Sequence, residues 1–362
     1  FFKMDTIDEN IKYANTLSGD FYSSHNEFEN SKENIFAKSW QLVGDNSHLS
    51  QANFKKPFVF LDEFISEPLF VVNNNNNGFK CYSNVCTHRG NILIEKPCKS
   101  KEITCKYHGR RFNCNGEFIF MPEFKGVKNF PLKQDNLTEI PINRWRQFLF
   151  CSLNPKINFD SLIQDMEKRI GWMPIEKFQI DSKSSKDYFV NANWALYCDN
   201  YLEGFHIPFV HKELNKVINY EDYKTEIFAY SNLQLAESSS ENTCFDLPES
   251  SIDFGKNIAA YYFWIFPNMM FNFYPWGLSV NIVKPLKPNL TKVEFRTYVW
   301  DESKRDSGAG SILDKVEKQD EEIVENVQKG VKSRYYKSGR FSTKMEMGVH
   351  HFHRLISNFI SS

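Results

Sequence analysis

Cys86-Thr87-His88 and, after sixteen intervening residues, Cys105-Lys106-Tyr107-His108 constrain this chain more than any other feature. Each half mixes one thiol with one imidazole, and a glycine follows each, Gly90 and Gly109. Two thiolates suit one iron of a [2Fe–2S] cluster, and two neutral imidazoles suit the other. Glycine behind each pair of ligands lets two loops close over a cluster without a side chain in the way. A structural zinc ion accepts the same four donors, although zinc motifs usually pair like with like, as in C-x-x-C or H-x₃₋₅-H.

The chain has 362 residues, enough for two domains with cores of their own. A formal net charge of −1 gives no reason to expect nucleic acid or a membrane surface as partner. Residues 1–10 carry Lys3, Asp5, Asp8 and Glu9 and lack the apolar run of a signal peptide. No stretch reaches the length of an apolar membrane-spanning helix. Met4 reads as the native start, with Phe1 to Lys3 foreign to it or left from a larger fragment. Eight cysteines are too few for a disulfide scaffold. With Cys86 and Cys105 set aside as ligands, the others show no pairing pattern, and a reducing, cytoplasmic location is the expectation.

Residues 1–39 read as a polar helical segment, with Glu27, Glu29 and Glu33 ahead of Ile35-Phe36. Across residues 40–155 the texture changes to short strand-like runs, such as Phe58-Val59-Phe60-Leu61 and Pro68-Leu69-Phe70-Val71-Val72, which predicts a compact β domain. Residues 73–77 are all asparagine and precede Gly78; they read as a hairpin connection, because Asn-Gly tolerates positive φ. Residues 156–362 form the second expected domain. It is helical around Leu162 to Met166, has a sheet from about Tyr188, and carries a long helix over about 311–335. The fold class is α+β.

A second set of candidate ligands lies in Asn193-Trp194-Ala195-Leu196-Tyr197-Cys198-Asp199-Asn200-Tyr201-Leu202-Glu203-Gly204-Phe205-His206-Ile207-Pro208-Phe209-Val210-His211. On a regular helix Glu203 and His206 share a face, whereas His206 and His211 diverge by roughly 140°. Pro208 between them removes a helix hydrogen bond, so the chain can bend and bring both imidazoles together. In the long helix Leu313, Val316, Ile323, Val327 and Val331 recur as an apolar stripe, and Asp320 sits within it. Glu317, Glu321, Glu322 and Glu325 mostly fall off that stripe and read as a solvated face. A buried carboxylate must be paired, protonated or bound to metal. His206, His211 and Asp320 then make a two-histidine, one-carboxylate facial triad for Fe(II). A local cap or salt bridge at Asp320 is the alternative.

The run from Tyr261 to Gly277 reads as two strands joined near Pro267-Asn268. Alternation puts Trp264, Phe266, Met270, Asn272, Tyr274 and Trp276 on one face, which mixes rings with an amide and suits a substrate pocket. Phe263, Ile265, Phe271 and Phe273 on the other face suit core. Trp and Tyr faces attract a quaternary ammonium; the same rings stack equally on an aromatic substrate, and plain core is a third reading.

The C-T-H-x-G and C-x-Y-H-G halves resemble the Rieske ferredoxin signature. With the downstream histidines and carboxylate, nearly the whole chain resembles the catalytic α subunits of Rieske non-haem iron oxygenases. Gln319-Asp320-Glu321-Glu322-Ile323-Val324-Glu325 is similar to that family's third-ligand helix. Tyr335-Tyr336, Gly339-Arg340 and Val349-His350-His351-Phe352-His353 resemble the tail of its choline monooxygenase and carnitine oxygenase branch. The three tail histidines read as a packed or exposed helix, not as a further metal site.

The resemblance implies an all-β Rieske domain and a catalytic domain whose antiparallel sheet is covered by helices, a helix-grip (START-like) arrangement with residues 1–39 packed on it. Cys86, His88, Cys105 and His108 would hold the [2Fe–2S] cluster, and His206, His211 and Asp320 the mononuclear iron. Glu203 would link a cluster histidine of one subunit to an iron-ligating histidine of its neighbour in a head-to-tail homotrimer. Asp199 is the second candidate for that role, and Asn200 beside it is a further candidate catalytic residue. Asn91 and Lys106 replace an extra disulfide of high-potential relatives, and Phe112 offers the cluster no hydroxyl, so a low potential is expected. Arg110 stands where many members have an aromatic residue, and alters the expected docking surface.

The activity implied is oxidation of a small organic substrate with O₂ and electrons from NAD(P)H. These come through a separate reductase, because the chain has no G-x-G-x-x-G nucleotide loop. Hydroxylation or oxidative demethylation of a quaternary ammonium compound is favoured. The alternatives are an aromatic-ring dihydroxylating dioxygenase and, in another class, a Rieske electron-transfer protein without oxygenase activity.

Overall fold

The strand-like runs of residues 40–155 become three small antiparallel sheets. Gln41–Asp45, Phe148–Cys151 and Ile142–Trp145 form one. Five strands form another, in the order Cys98–Lys99, Phe54–Phe60, Glu67–Asn74, Gly78–Ser83 and Glu139–Ile140. Glu102–Thr104, Arg111–Asn113 and Phe118–Phe120 form the third. Phe70, Val72, Leu93, Ile103, Phe112 and Leu137 make a core between the second and third sheets, in which Cys86 and Cys105 are also buried. This β unit spans Ala37–Lys156; the second compact unit comprises Phe1–Phe36 with Ile157–Ser362. The structure is a computed structural model describing residues 6–47, 49–74, 78–211, 224–238, 241–305 and 313–361. The readings of the native start at residues 1–4, of the asparagine hairpin at 75–77 and of the long helix at 311–312 fall outside these residues.

In the second unit one antiparallel sheet runs Gln179–Ile180, Leu290–Val299, Gly277–Lys287, Met269–Tyr274, Ile258–Ile265, Ser231–Glu237, Lys224–Ile227. Lys186–Val190 pairs alongside Leu290–Val299 and brings the sheet to eight strands. Helices Phe159–Ile170, Trp194–Tyr201, Leu313–Val331 and Met347–Ser361 complete the unit. The α+β class holds, with a mixed helix and antiparallel-sheet second unit. Among the described residues no helix is long and apolar enough to cross a membrane.

Three expectations need correction. Within residues 6–39 the helical stretch is confined to His25–Ser31 and a π turn over Lys32–Phe36. The segment is also far from polar, since Ile7, Leu17, Phe21, Tyr22, Ile35 and Phe36 are buried. Its apolar residues follow no regular period, so the charges dominate a reading by pattern. On the helix Leu313–Val331, Ile323 and Val327 of the expected stripe are 38% and 43% exposed. The inward face is instead Glu317, Val324, Gln328 and Val331. The face is turned because polar residues bind the helix to its neighbour. The Tyr197 hydroxyl donates to Glu317 at 2.7 Å, the Asn193 N–H to Gln328 at 2.7 Å and the Asn191 N–H to Glu325 at 2.9 Å. Glu317 is thus a buried packing residue and not part of a solvated face, whereas the Asn191–Glu325 bond is solvent-exposed.

The terminal helix Met347–Ser361 starts against the turn that ends the helix Trp194–Tyr201. A Cβ on Gly348 would lie 2.4 Å from the Leu202 carbonyl oxygen, whereas one on Gly330 would meet nothing within 4 Å. Gly348→Ala should therefore lower stability by about 1–3 kcal/mol. Gly330→Ala, in an open helical position, should raise it by about 0.5–1 kcal/mol. Thermal or denaturant unfolding of both variants reads the opposite signs, and equal effects would contradict this packing.

Candidate metal centre

The helix Trp194–Tyr201 starts on Asn193, whose side chain accepts the Ala195 N–H at 3.0 Å, and stops at Leu202. One short helical turn, Ile207–Val210, then follows, with His206 and His211 as its two caps and Pro208 in its first turn. That turn brings residues five apart together: the imidazole rings lie 5.1 Å apart at 79°. Asp320 reaches in from the helix Leu313–Val331. Its Oδ1 is 2.9 Å from His211 Nε2 and 3.5 Å from His206 Nε2. Asp320 thus lies on the buried side of its helix, although the stripe that pointed to it was misread.

The opposite ring nitrogens are held as a metal site requires. His206 Nδ1 donates to Glu203 Oε1 at 2.7 Å, and His211 Nδ1 to Gln319 Oε1 at 2.9 Å. Those bonds fix the tautomer and leave both Nε2 atoms for a metal, as is common for ligating histidines, whose other ring N–H is held by an acceptor. Burial works against charging His211, but the adjacent Asp320 outweighs it and raises its pKa. Among the described residues this trio alone brings three donor atoms within 4.8 Å of one another. The donor set therefore fits a mononuclear iron.

Cys86, His88, Cys105 and His108 come together on two loops built alike. The Cys86 N–H donates to the Asn91 carbonyl at 2.9 Å and the Gly90 N–H to the Cys86 carbonyl at 3.0 Å. The Cys105 N–H and Gly109 N–H make the same two bonds, to Arg110 at 2.8 Å and Cys105 at 3.0 Å. Gly90 and Gly109 turn each loop at φ of 73° and 71°, a region costly for other residues. The His88 and His108 rings lie 4.8 Å apart, and both cysteines are buried. The four donors do not converge within 4.8 Å in threes, as ligands of a single ion would. That spacing favours ligands divided between two irons over a tetrahedral zinc.

Arg110 is 1% exposed, so its reading as part of a docking surface is wrong. Its guanidinium donates to Asp135 Oδ1 at 2.7 Å and to the Asp135 carbonyl at 3.0 Å, over the ring of Phe118. The Thr87 hydroxyl donates to that same carbonyl at 2.8 Å, so one residue ties both loops. A cation is tolerable at this buried position because Asp135 meets it.

A cavity of about 130 Å³ adjoins the histidine–aspartate trio, with Glu203 and Asn200 on its wall. Of the six residues expected to line it, Asn272 and Tyr274 do; Trp264, Phe266, Met270 and Trp276 are not among its lining residues. The terminal helix covers that end of the face: Trp264 packs on Phe352 at 5.1 Å and Phe266 on Phe359 at 4.7 Å. Trp276 stacks on Tyr274 at 5.2 Å. Tyr197, Tyr201, Gln234, Tyr262, Asn281 and Phe295 line the cavity instead and escaped the sequence reading. Tyr262 was within reach of it, since alternation places it two residues before Trp264.

Asp199 points away from this cavity. It accepts from the Tyr22 hydroxyl at 2.9 Å and from His353 Nε2 at 2.9 Å. The Leu17 N–H donates to His353 Nδ1 at 3.1 Å, which fixes the proton on Nε2. His350 Nε2 donates to the Asp8 carbonyl at 2.7 Å, so these two tail histidines serve packing.

Replacing Asp320 by Ala should leave the visible spectrum of the two-iron cluster in place and lower iron from about three to about two atoms per chain. Metal analysis of the purified variant checks this. Full iron content with retained turnover would remove Asp320 from the ligand set.

Residues 171–362 match the family described as ring hydroxylating alpha subunit (catalytic domain), and residues 39–131 match the Rieske [2Fe-2S] domain. The chain is 28% identical to the chloroplastic choline monooxygenase of Arabidopsis thaliana, over 96% of its own length and 83% of the relative's. It is 28% identical to the carnitine monooxygenase oxygenase subunit of Escherichia coli K12, over 96% and 94% of the two chains. The fold is shared with a quaternary ammonium Rieske monooxygenase (TM-score 0.78, 23% identity, 98% and 99% covered). It is also shared with naphthalene 1,2-dioxygenase from Rhodococcus sp. (TM-score 0.73, 15% identity, 96% and 94% covered). The chain therefore belongs to the ring-hydroxylating α subunits of the Rieske non-haem iron oxygenases, oxidoreductases that incorporate oxygen from O₂.

Proposed function

We propose that this chain is the oxygenase component of a monooxygenase acting on a trimethylammonium compound. The observation that carries the reading is the cavity wall. Tyrosines 197, 201, 262 and 274 and the carboxylates of Glu203, Glu317 and Asp320 border it, and no Lys or Arg does among the described residues. A quaternary ammonium gains about 2 kcal/mol or more from each desolvated ring face. A benzoate-like anion finds no cationic partner there, which disfavours an aromatic acid. The relatives named choline and carnitine monooxygenases support the same substrate class.

Iron held by His206, His211 and Asp320 would supply the activation of O₂ that hydroxylation or demethylation needs. Around it, Glu203 and Gln319 orient the imidazoles, and the tyrosine wall positions the substrate and excludes water. Electrons come from a separate NAD(P)H-dependent reductase and enter through the unit bearing Cys86, His88, Cys105 and His108. Glu203 would bridge subunits: it holds His206 Nδ1 at 2.7 Å and keeps 13% of its side chain exposed, which supports contact with a neighbour's cluster histidine in a head-to-tail trimer, whose contacts would close into a ring. The six cysteines besides Cys86 and Cys105, none in a disulfide, fit a reducing compartment such as the cytoplasm.

A calorimetric or thermal-shift screen with choline, betaines, carnitine and benzoate tests the substrate class. A trimethylammonium compound should stabilise the protein and stimulate O₂ uptake with a reductase. Stabilisation by benzoate alone would overturn the proposal.

Glu203→Gln keeps the size of the side chain but removes the charge that binds the imidazole N–H. It should retain both metal centres, with turnover reduced about 10-fold or more by slow electron delivery. Rapid-mixing reduction kinetics read this step, and an unaltered rate, or activity in a strict monomer, would exclude the bridge.

A further inference from the structure

Two arginines flank the cluster loops in different surroundings. Arg89, next to His88, is exposed, so water and salt screen its charge. Arg110, two residues after His108, is 1% exposed. The rings of Phe112, Phe118 and Phe130 enclose its guanidinium at 5.7, 4.9 and 5.4 Å. A charge in such low-dielectric surroundings reaches further and is screened less.

Arg110 lies against both halves of the ligand set. Its carbonyl accepts the Cys105 N–H at 2.8 Å, and its guanidinium donates to the Asp135 carbonyl that the Thr87 hydroxyl also reaches. Thr87 stands between Cys86 and His88. A file of rings continues to the same ligand: Phe130 packs on Phe124 at 4.8 Å, and Phe124 on His88 at 5.5 Å. Asp135 Oδ1, at 2.7 Å, offsets part of the charge. Arg110 Nε stays buried with no acceptor among the described residues, so the guanidinium is only partly satisfied. A buried cation with a donor to spare lowers stability, and an apolar residue of similar size would remove that cost. Its charge is nevertheless felt at a ligand. Burial lowers the His88 pKa, and His108, Arg110 and Arg89 lower it further with no offset from Asp135.

We propose that Arg110 raises the reduction potential of the two-iron cluster, a tuning role beyond its part in closing the second loop. The inference rests on Cys86, His88, Cys105 and His108 as the cluster's ligands. With two thiolates and two neutral imidazoles, the oxidised unit of two ferric irons and two sulfides is neutral overall. One electron from the reductase makes one iron ferrous and leaves the unit with a single negative charge, and no bond is broken. A fixed cation nearby stabilises that reduced form. Donors to sulfur act in the same direction but are sparse here. Phe112 offers none, and Asn91 Nδ2 reaches Cys105 Sγ only at 3.7 Å. The buried charge thus favours acceptance of the electron where hydrogen bonds contribute little.

Potentiometric titration of the purified, cluster-loaded protein, followed by visible absorption, decides it. Arg110→Gln should lower the reduction equilibrium about tenfold, ~59 mV for a one-electron couple. That deficit should persist at high salt, whereas any deficit of Arg89→Gln should fade. The double variant Arg110→Gln/Asp135→Asn removes both charges and leaves neither buried partner unpaired. It should still lie below the wild type, because the cation's field prevails at the ligands. A double variant at or above the wild-type potential, with the cluster spectrum unaltered, would overturn the tuning role and leave Arg110 a purely structural residue. A wild type without a [2Fe–2S] spectrum would instead remove the ligand assignment beneath it. The double variant also decides where Arg110→Gln alone fails to assemble its cluster.

Discussion

His206 and His211 each use one ring nitrogen to hold a fixed partner, Glu203 at 2.7 Å and Gln319 at 2.9 Å. The geometry of the catalytic unit depends on those two bonds. Without them the imidazoles could rotate, and the Nε2 atoms would not both face Asp320. The partners come from the elements that also supply ligands: Glu203 precedes His206 by one turn, and Gln319 adjoins Asp320. Each segment therefore brings a ligand together with a group that orients a ligand, and a shift of either helix disturbs both. That explains the close packing behind them, where Gly348 abuts the Leu202 carbonyl and Gln328 takes the Asn193 N–H.

Polar contacts do for the long helix what apolar packing usually does. Tyr197 donates to Glu317, and Asn193 to Gln328. Buried hydrogen bonds of this kind specify rotation about the helix axis more sharply than a hydrophobic stripe does, because a misplaced donor is left unsatisfied. In the β unit Arg110 has a comparable role. Held by Asp135 and ringed by Phe112, Phe118 and Phe130, it secures the second loop to the strap that also takes the Thr87 hydroxyl.

Candidate ligands could be picked out in the sequence because metal chemistry restricts residue type and spacing so strongly. The Cys-x-His and Cys-x-x-His halves lie on matching loops, and Pro208 stands in the turn that joins His206 to His211. What periodicity misjudged were positions whose partners are distant in sequence. Glu317 reads as solvent-facing until Tyr197 is placed beside it, and Arg110 reads as exposed until Asp135 is. The cavity was half legible. Alternation found the face bearing Asn272 and Tyr274, but not that the terminal helix buries Trp264 and Phe266 at its other end. Gln234, Asn281 and Phe295 come from strands that only the sheet order brings alongside.

Two iron centres of different kinds are expected on these two sets of ligands in one chain. Anomalous diffraction at the iron edge from crystals of the purified protein would locate both. A two-iron peak should lie between the Cys86–Cys105 and His88–His108 pairs, and a separate single peak should be bounded by His206, His211 and Asp320. Zinc at either position, or a mononuclear iron without Asp320 beside it, would overturn the assignment.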